Sequence, residues 1–312
     1  MHSSKSTRPV PNVSEEIAAT HPRQLRWAAI VPASIIALAG VCFLGVWLYT
    51  FRPLPPLPQP TGRVTAWSAA EWSHLPADEE RCFLVNNMWN RGAAGVHFAQ
   101  EIFDENLAGS RAVGWRWRSP WQASPSIVSY PEMICGNKPW DQPMGAFPGL
   151  PLHPAAAPEA LPGPRHLTVD YNIRLRATGV YNLAFSLWAV SNLPPSPATI
   201  HCEIMIWIAN SGQKPAGTLR GNLNVQGTPY DVWINEHQHD NSGANKNEWT
   251  YVAYVARSPV LNGPLDLTAF VLDLEQRKIL TPAQWITDLE LGNEVAEGAG
   301  ITEIQNFALH LE

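Results

Sequence analysis

Two short segments carry carboxylates in surroundings that suit chemistry. The first, His201-Cys202-Glu203-Ile204-Met205-Ile206-Trp207-Ile208-Ala209, has the period-two alternation that sorts a strand into two faces. Cys202, Ile204, Ile206 and Ile208 face a core, while Glu203, Met205 and Trp207 share the opposite strip. A carboxylate, a thioether and a flat indole together suit a sugar ring, whose C–H face packs on an aromatic plane within reach of an acidic group. Taken alone, Glu203 also reads as a solvated residue on an outer strand face. The second segment, Asp288-Leu289-Glu290-Leu291-Gly292-Asn293-Glu294-Val295, runs into the turn Glu297-Gly298-Ala299-Gly300. Gly292 shares the parity of Glu294 and lacks a side chain, so it is expected to leave room beside that carboxylate for a ligand.

The elements that must position these groups are strands. Val113, Trp115 and Trp117 alternate with Gly114, Arg116 and Arg118, and Val169, Tyr171, Ile173 and Leu175 alternate with polar residues. The same holds for Leu183, Phe185 and Leu187, for Tyr230, Val232 and Ile234, and for the aromatic run from Trp249 to Val255. Many such segments between Gly, Pro and Asn predict an all-β, two-sheet antiparallel sandwich. Trp115 and Trp117 share the parity of Val113 and are expected in the core. Leu267, Phe270, Val271 and Leu274 follow helical spacing, which predicts one substantial helix over Leu265 to Lys278, with Pro282 preventing its continuation. Pro139 to Arg165, rich in Pro, Ala and Gly, reads as a long surface loop, with a domain boundary as the alternative.

The run from Trp27 to Phe51 carries no charge and is long enough for a transmembrane helix. Lys5, Arg8, Arg23 and Arg26 precede it and Arg52 alone follows closely, so the positive-inside rule places the N-terminus in the cytoplasm and the rest outside, periplasmic or extracellular. A cleaved signal peptide competes, but the polar lead is long and no A-x-A site follows. Cys42 reads as a cysteine within the membrane helix, because bulky Val41 precedes it where a lipidation site needs a small residue. The expected plan is a cytoplasmic tail over 1–26, an anchor over 27–51, a Pro-rich linker over 52–78 and one globular domain over 79–312. Arg52 to Pro60 holds five prolines in nine positions and reads as an extended spacer.

A net charge of −6, with no Lys/Arg-rich run, gives no footprint for a phosphate backbone, so nucleic acid is not an expected partner. Cys82, Cys135 and Cys202 allow one disulfide and one free thiol, and spacing does not choose the pair. Asn235-Glu236-His237-Gln238-His239-Asp240-Asn241 holds metal-ligand types but reads as a polar loop between strands, and no metal is expected.

Together the segments resemble glycoside hydrolase family 12, the β-jelly-roll endoglucanases and xyloglucanases. Glu203-Ile204-Met205-Ile206-Trp207 matches the family's nucleophile strand E-[IL]-M-I-W, and Glu294 matches the acid/base of its late G-[TNF]-E segment, with Asn306-Phe307 in the final strand. Asn86-Asn87-Met88-Trp89 is similar to the N-N-x-W element, whose Trp lines the substrate cleft; Trp115-Arg116-Trp117 and Ser129-Tyr130-Pro131-Glu132 follow in order. The resemblance covers roughly Arg81 to Glu312. The family's Y-D-[LI]-[WF] element falls on Phe185-Ser186-Leu187-Trp188, so a helper aspartate beside the nucleophile is Ser186 here. Alternation puts Ser186 and Trp188 on the cleft side.

The resemblance implies a retaining endo-β-1,4-glucanase that needs no cofactor and acts on cellulose-type, mixed-linkage or xyloglucan chains as a monomer. Glu203 is then the nucleophile and Glu294 the acid and later the base. Trp89 and Trp207 are implied stacking platforms, Met205 packs the cleft floor, and Asn87, Ser186 and Trp188 complete the substrate-binding set. Glu290, Glu297 and Glu303 are weaker candidates for catalytic groups. The alternatives are a catalytically weak glucan-binding protein on the same fold, in which the serine marks lost chemistry, and a structural envelope protein on an unrelated sandwich.

Overall fold

The computed structural model describes residues 34–45, 54–78, 81–122, 125–140, 150–151, 166–240, 245–281 and 283–312. The chain divides into two compact units, Met1–Pro53 and Leu54–Glu312. In the first, residues 34–45 form a helix whose side chains are exposed. Among the described residues no helix is long and apolar enough to cross a membrane. The remainder of the expected span over 27–51 lies outside the described residues.

Among the described residues the second unit is built from sixteen bonded strands. One path of neighbours runs β1 (Arg63–Ser68), β4 (Ala99–Leu107), β5 (Ser110–Ser119), β16 (Val295–Leu311), β8 (Leu167–Val190), β15 (Asp288–Gly292), β6 (Glu132–Gly136), β3 (Cys82–Val85) and β2 (His74–Pro76). A branch from β8 runs through β9 (Ile200–Ser211), β12 (Trp249–Ala256), β11 (Thr228–Gln238) and β10 (Thr218–Val225). Short strands β7 (Leu150–Pro151), β13 (Asn262–Asp266) and β14 (Trp285–Ile286) complete it.

The 24-residue β8 makes two layers out of this network. Its first half pairs with β16 and β13, and its second half pairs with β9, β15 and β14. The change falls at Gly179, which has φ +95° and lies opposite Gly298, also at +95°. A Cβ on Gly179 would lie 2.2 Å from the Glu297 carbonyl oxygen, so both the turn and the close approach require glycine. Val169, Tyr171 and Ile173 from one half pack with Leu183, Phe185 and Leu187 from the other, and the Tyr171 and Phe185 rings meet edge to face at 5.1 Å. Trp115 and Trp117 are fully buried in that core, as their parity predicts.

Several expectations are corrected. The sandwich is not wholly antiparallel, because β9 and β12 pair in parallel; β10 and β11 fill the chain between them and supply the long crossover a parallel pair needs. The helix is Thr268–Gln276, shorter than 265–278. Leu265 and Asp266 instead pair with Val169 and Thr168, and Lys278 takes φ +62° beyond the helix end. Asn235–Gln238 continues β11 rather than forming a loop. The segment expected as a linker, 52–78, carries β1 and β2 and is docked on the domain. Arg116 and Arg176 donate to the carbonyls of Pro58 and Gln59, and the Thr61 and Gly62 amides donate to Glu303 and Glu105. The expected loop over 139–165 lies mostly outside the described residues, although Leu150–Pro151 pairs with β14. Cys82 and Cys135, opposite each other on β3 and β6, form the disulfide, and Cys202 is a buried free thiol.

Candidate active site

Directly opposed residues on neighbouring strands point to the same side of a sheet, so the register assembles one face. Tyr251, Glu203 and Trp188 form one row across β12, β9 and β8. Ala253, Met205, Ser186, Glu290 and Ile134 form the next, reaching β15 and β6. Val255, Trp207, Ala184, Gly292 and Glu132 form the third. Glu294 lies two residues beyond the end of β15, against Asn182 at the start of the second half of β8.

Both expected carboxylates are half-buried on this face. Burial raises the pKa of Glu203 to about 8, assisted by the charges of Glu294 and Glu290, while a hydrogen bond from Trp249 Nε1 to its Oε2 (3.0 Å) and the Lys138 ammonium oppose the rise. Burial raises Glu294 to about 7, opposed by a hydrogen bond from Asn182 Nδ2 to Oε2. Asn182 also accepts from the Glu294 amide at 3.0 Å. Asn293 Nδ2 donates to the Asn182 carbonyl, and its Oδ1 accepts from Trp115 Nε1 at 2.7 Å and from Thr302 Oγ1 at 2.6 Å. The position of Glu294 is therefore tied through Asn182 and Asn293 into the core.

Three more carboxylates lie buried here. Glu132 and Glu290 hold Lys138 at 2.9 and 3.2 Å, and Asp288 Oδ1 accepts from the Trp188 amide. Burial pushes Glu132 and Asp288 well above the usual carboxylate range, and neighbouring Glu290 adds to both shifts. The Tyr130 and Tyr251 hydroxyls stay neutral because burial and the nearby carboxylates raise them well above 10.

The structure redistributes the expected ligand residues. Trp89 is 55% exposed and offers an open ring. Trp207 is 1% exposed, packed with Met205, Tyr130 and Tyr251, and offers a ligand no open face. Ser186 is 2% exposed and Trp188 is buried, its indole N–H donating to Glu290 Oε1 at 2.9 Å. Asn87 is also buried, donating to Glu132 at 2.8 Å and accepting from the Trp89 amide, so it shapes the turn that carries Trp89. Gly292 makes room for the protein itself, since a Cβ there would lie 2.7 Å from the Tyr130 ring. Glu303 binds Thr61 and Arg176, and Glu297 accepts from the Gln122 amide, which gives both structural partners. Asn182, Trp249 and Lys138 are additions; the parity of Ser186 and Trp188, carried back along β8, reaches Asn182. Among the described residues no group of His, Cys, Asp and Glu is arranged to hold a metal.

The raised carboxylates have a consequence for stability. A folded-state pKa above the unfolded value means the folded form binds its proton more tightly, so stability falls as pH rises from about 4.5 to about 8. Glu203→Gln removes one such group. The variant is expected to melt several degrees above the parent at pH 8, a gain of about 1–2 kcal/mol after allowance for its partial exposure, and close to it at pH 4.5. Thermal unfolding at the two pH values checks this; an equal shift at both would show that ionisation is not the cause.

The fold and this face define a β-sandwich protein with a pair of carboxylates on one face and an exposed indole in the turn after β3. The sequence model of glycosyl hydrolase family 12 matches residues 83–312, and the chain belongs to that family of glycoside hydrolases. Endoglucanase S of Pectobacterium parmentieri is 25% identical over 255 residues, covering 79% of this chain and 88% of that protein. Among solved structures, the native family 12 xyloglucanase from Bacillus licheniformis is 20% identical with a TM-score of 0.68, covering 79% of this chain and 100% of that one. Endoglucanase cel12A from Rhodothermus marinus is 21% identical with a TM-score of 0.59, covering 80% and 99%.

Proposed function

We propose that this chain is a retaining endo-β-1,4-glucanase, tethered to a membrane and working outside the cytoplasm, with Glu203 as nucleophile and Glu294 as acid and base. The observation that carries the reading is the pair itself: two half-buried carboxylates on one face, both with pKa values in the neutral range, the charge of one raising the other. A bound glycosidic oxygen beside Glu294 supplies an acceptor that keeps the proton there, while the Trp249 N–H and the Lys138 charge favour ionised Glu203.

In the first step the Glu203 carboxylate bonds to the anomeric carbon, the glycosidic C–O bond breaks, and the leaving oxygen takes the proton of Glu294. In the second, Glu294 takes a proton from water, whose oxygen bonds to the anomeric carbon and releases Glu203 as carboxylate. Trp89 is the stacking surface for a glucan unit. The uncharged run from Trp27 to Phe51 supports the tether, and the Cys82–Cys135 disulfide supports an oxidising compartment. The endoglucanase and xyloglucanase relatives support a β-1,4-glucan substrate.

The test is sugar release by the full-length protein in detergent from carboxymethyl-cellulose, mixed-linkage glucan and xyloglucan. Hydrolysis lost in Glu203→Gln and Glu294→Gln supports the reading; binding of all three polymers without hydrolysis by any form overturns it in favour of a binding protein. Asn182→Ala gives a finer expectation. The lost hydrogen bond favours ionised Glu294, so its removal raises that pKa and moves the alkaline limb of kcat/KM to higher pH, with kcat down about 10-fold from misplacement. A limb that moves down, or stays, contradicts the assignment of Glu294 as the acid.

A further inference from the structure

The nucleophile assigned above receives its hydrogen bond from an indole that belongs to a larger assembly. Trp249 Nε1 donates to Glu203 Oε2 at 3.0 Å. The Trp249 ring meets Trp188 at 6.2 Å and Trp140 at 5.8 Å, and Trp140 meets Trp188 at 6.0 Å, all edge to face. In such a trio no ring turns without breaking two packing contacts. Two of the indole N–H groups are also spent on carboxylates, Trp249 on Glu203 and Trp188 on Glu290.

The far end of the trio is locked. Glu290 Oε1, which accepts from Trp188, lies 3.2 Å from Lys138 Nζ, and Lys138 binds both oxygens of Glu132 at 2.9 and 3.0 Å. Lys138 and Trp140 flank Pro139, so one short, φ-restricted segment supplies both the buried cation and the third indole. Charge-assisted bonds in a water-excluded site hold their geometry better than exposed ones. None of these groups takes part in bond making or breaking in the mechanism above.

We propose that Trp249 is a positioning residue that presents Glu203 for attack, held in place by the Trp140–Trp188–Trp249 trio and its Lys138 lock. The inference rests on the reading of Glu203 as nucleophile. Charged or titratable groups that act on Glu203 are Tyr251 on β12, Glu290 on β15, Glu294 beyond it, Tyr130 before β6, Lys138 beyond β6 and Cys202 beside it; Asp288 and Glu132 lie one contact further, on Trp188 and Lys138, and His201 is two residues back on the same strand. Against this largely acidic surround, the indole N–H is a neutral donor that favours the ionised nucleophile at every pH.

The experiment is the rate at which 2-deoxy-2-fluorocellobiosyl fluoride inactivates the full-length chain as a function of pH. In that reaction the Glu203 oxygen bonds to the anomeric carbon, fluoride leaves with the electron pair of the C–F bond, and no general acid is needed. Trp249→Phe is expected to move the acid limb of inactivation up by about one pH unit, so that inactivation below the limb slows about 10-fold. Lys138→Gln is expected to move it in the same direction by less. Because Phe leaves a void, 3-benzothienylalanine at position 249, which keeps the shape and lacks the N–H, is expected to give the same shift. A limb that stays in place in the benzothienylalanine chain, with rates lowered equally at all pH values, overturns the proposal. Failure of the unmodified chain to be inactivated overturns the nucleophile reading instead, and this proposal with it.

Discussion

Glu203→Gln is expected to reduce kcat on β-1,4-glucan by at least about 10³-fold, the equivalent of roughly 4 kcal/mol of transition-state stabilisation. The amide keeps the size and the bond from Trp249 but supplies no anionic oxygen, so no covalent intermediate forms. Glu294→Gln is expected to lose as much on glucan yet to behave differently on an aryl glycoside. A nitrophenolate needs no proton to leave, so the first step stays fast and the covalent intermediate accumulates. A burst of nitrophenol from Glu294→Gln and none from Glu203→Gln is the expected pattern, and the reverse would exchange the two roles.

The second large effect falls on stability. The Cys82–Cys135 bridge closes a chain segment of 53 residues, and loop-closure entropy for that length predicts a loss of about 4 kcal/mol when it is removed. For a domain of this size the double variant Cys82→Ser/Cys135→Ser is expected to melt roughly 5–15 °C lower. The bridge ties β3, one strand in from the β2 edge, to β6, whose Glu132 binds Lys138. Loosening it is therefore expected to reduce activity below the new melting point as well. Calorimetry with and without reductant tests this, and an unchanged transition on reduction would contradict it. The buried thiol of Cys202 is pushed up by burial and does not compete as a thiolate in exchange.

What the sequence alone makes legible is local and periodic. Alternation places Ile204 and Ile206 in the core and Glu203 on the other face, and it places Ser186 with Trp188, because both follow from a single strand's pleat. Register between strands is set by contacts distant in the chain, so nothing in the sequence pairs Ser186 with Glu290 or Tyr251 with Glu203. That is why Trp249, which touches Glu203, carries no sequence signal of its own, and Asn182, which touches Glu294, has only the parity it shares with Ser186 and Trp188. Burial is equally opaque. Trp89 and Trp207 look equivalent as aromatic residues near candidate sites, yet one is open and the other lies under Tyr130 and Tyr251. Gly292 illustrates the same limit: the missing side chain leaves space, and only the fold shows that Tyr130 takes it. The Pro-rich segment reads as a free spacer from composition, whereas its carbonyls and amides are held by Arg116, Arg176, Glu303 and Glu105.

In the proposed mechanism Glu203 becomes covalently attached to the sugar. The most direct measurement is peptide mass spectrometry of the full-length protein after reaction with 2-deoxy-2-fluorocellobiosyl fluoride. One disaccharide per chain is expected, on the peptide containing Glu203. Attachment to Glu290, Glu294 or any other carboxylate, or turnover of glucan with inversion and no adduct, would contradict it.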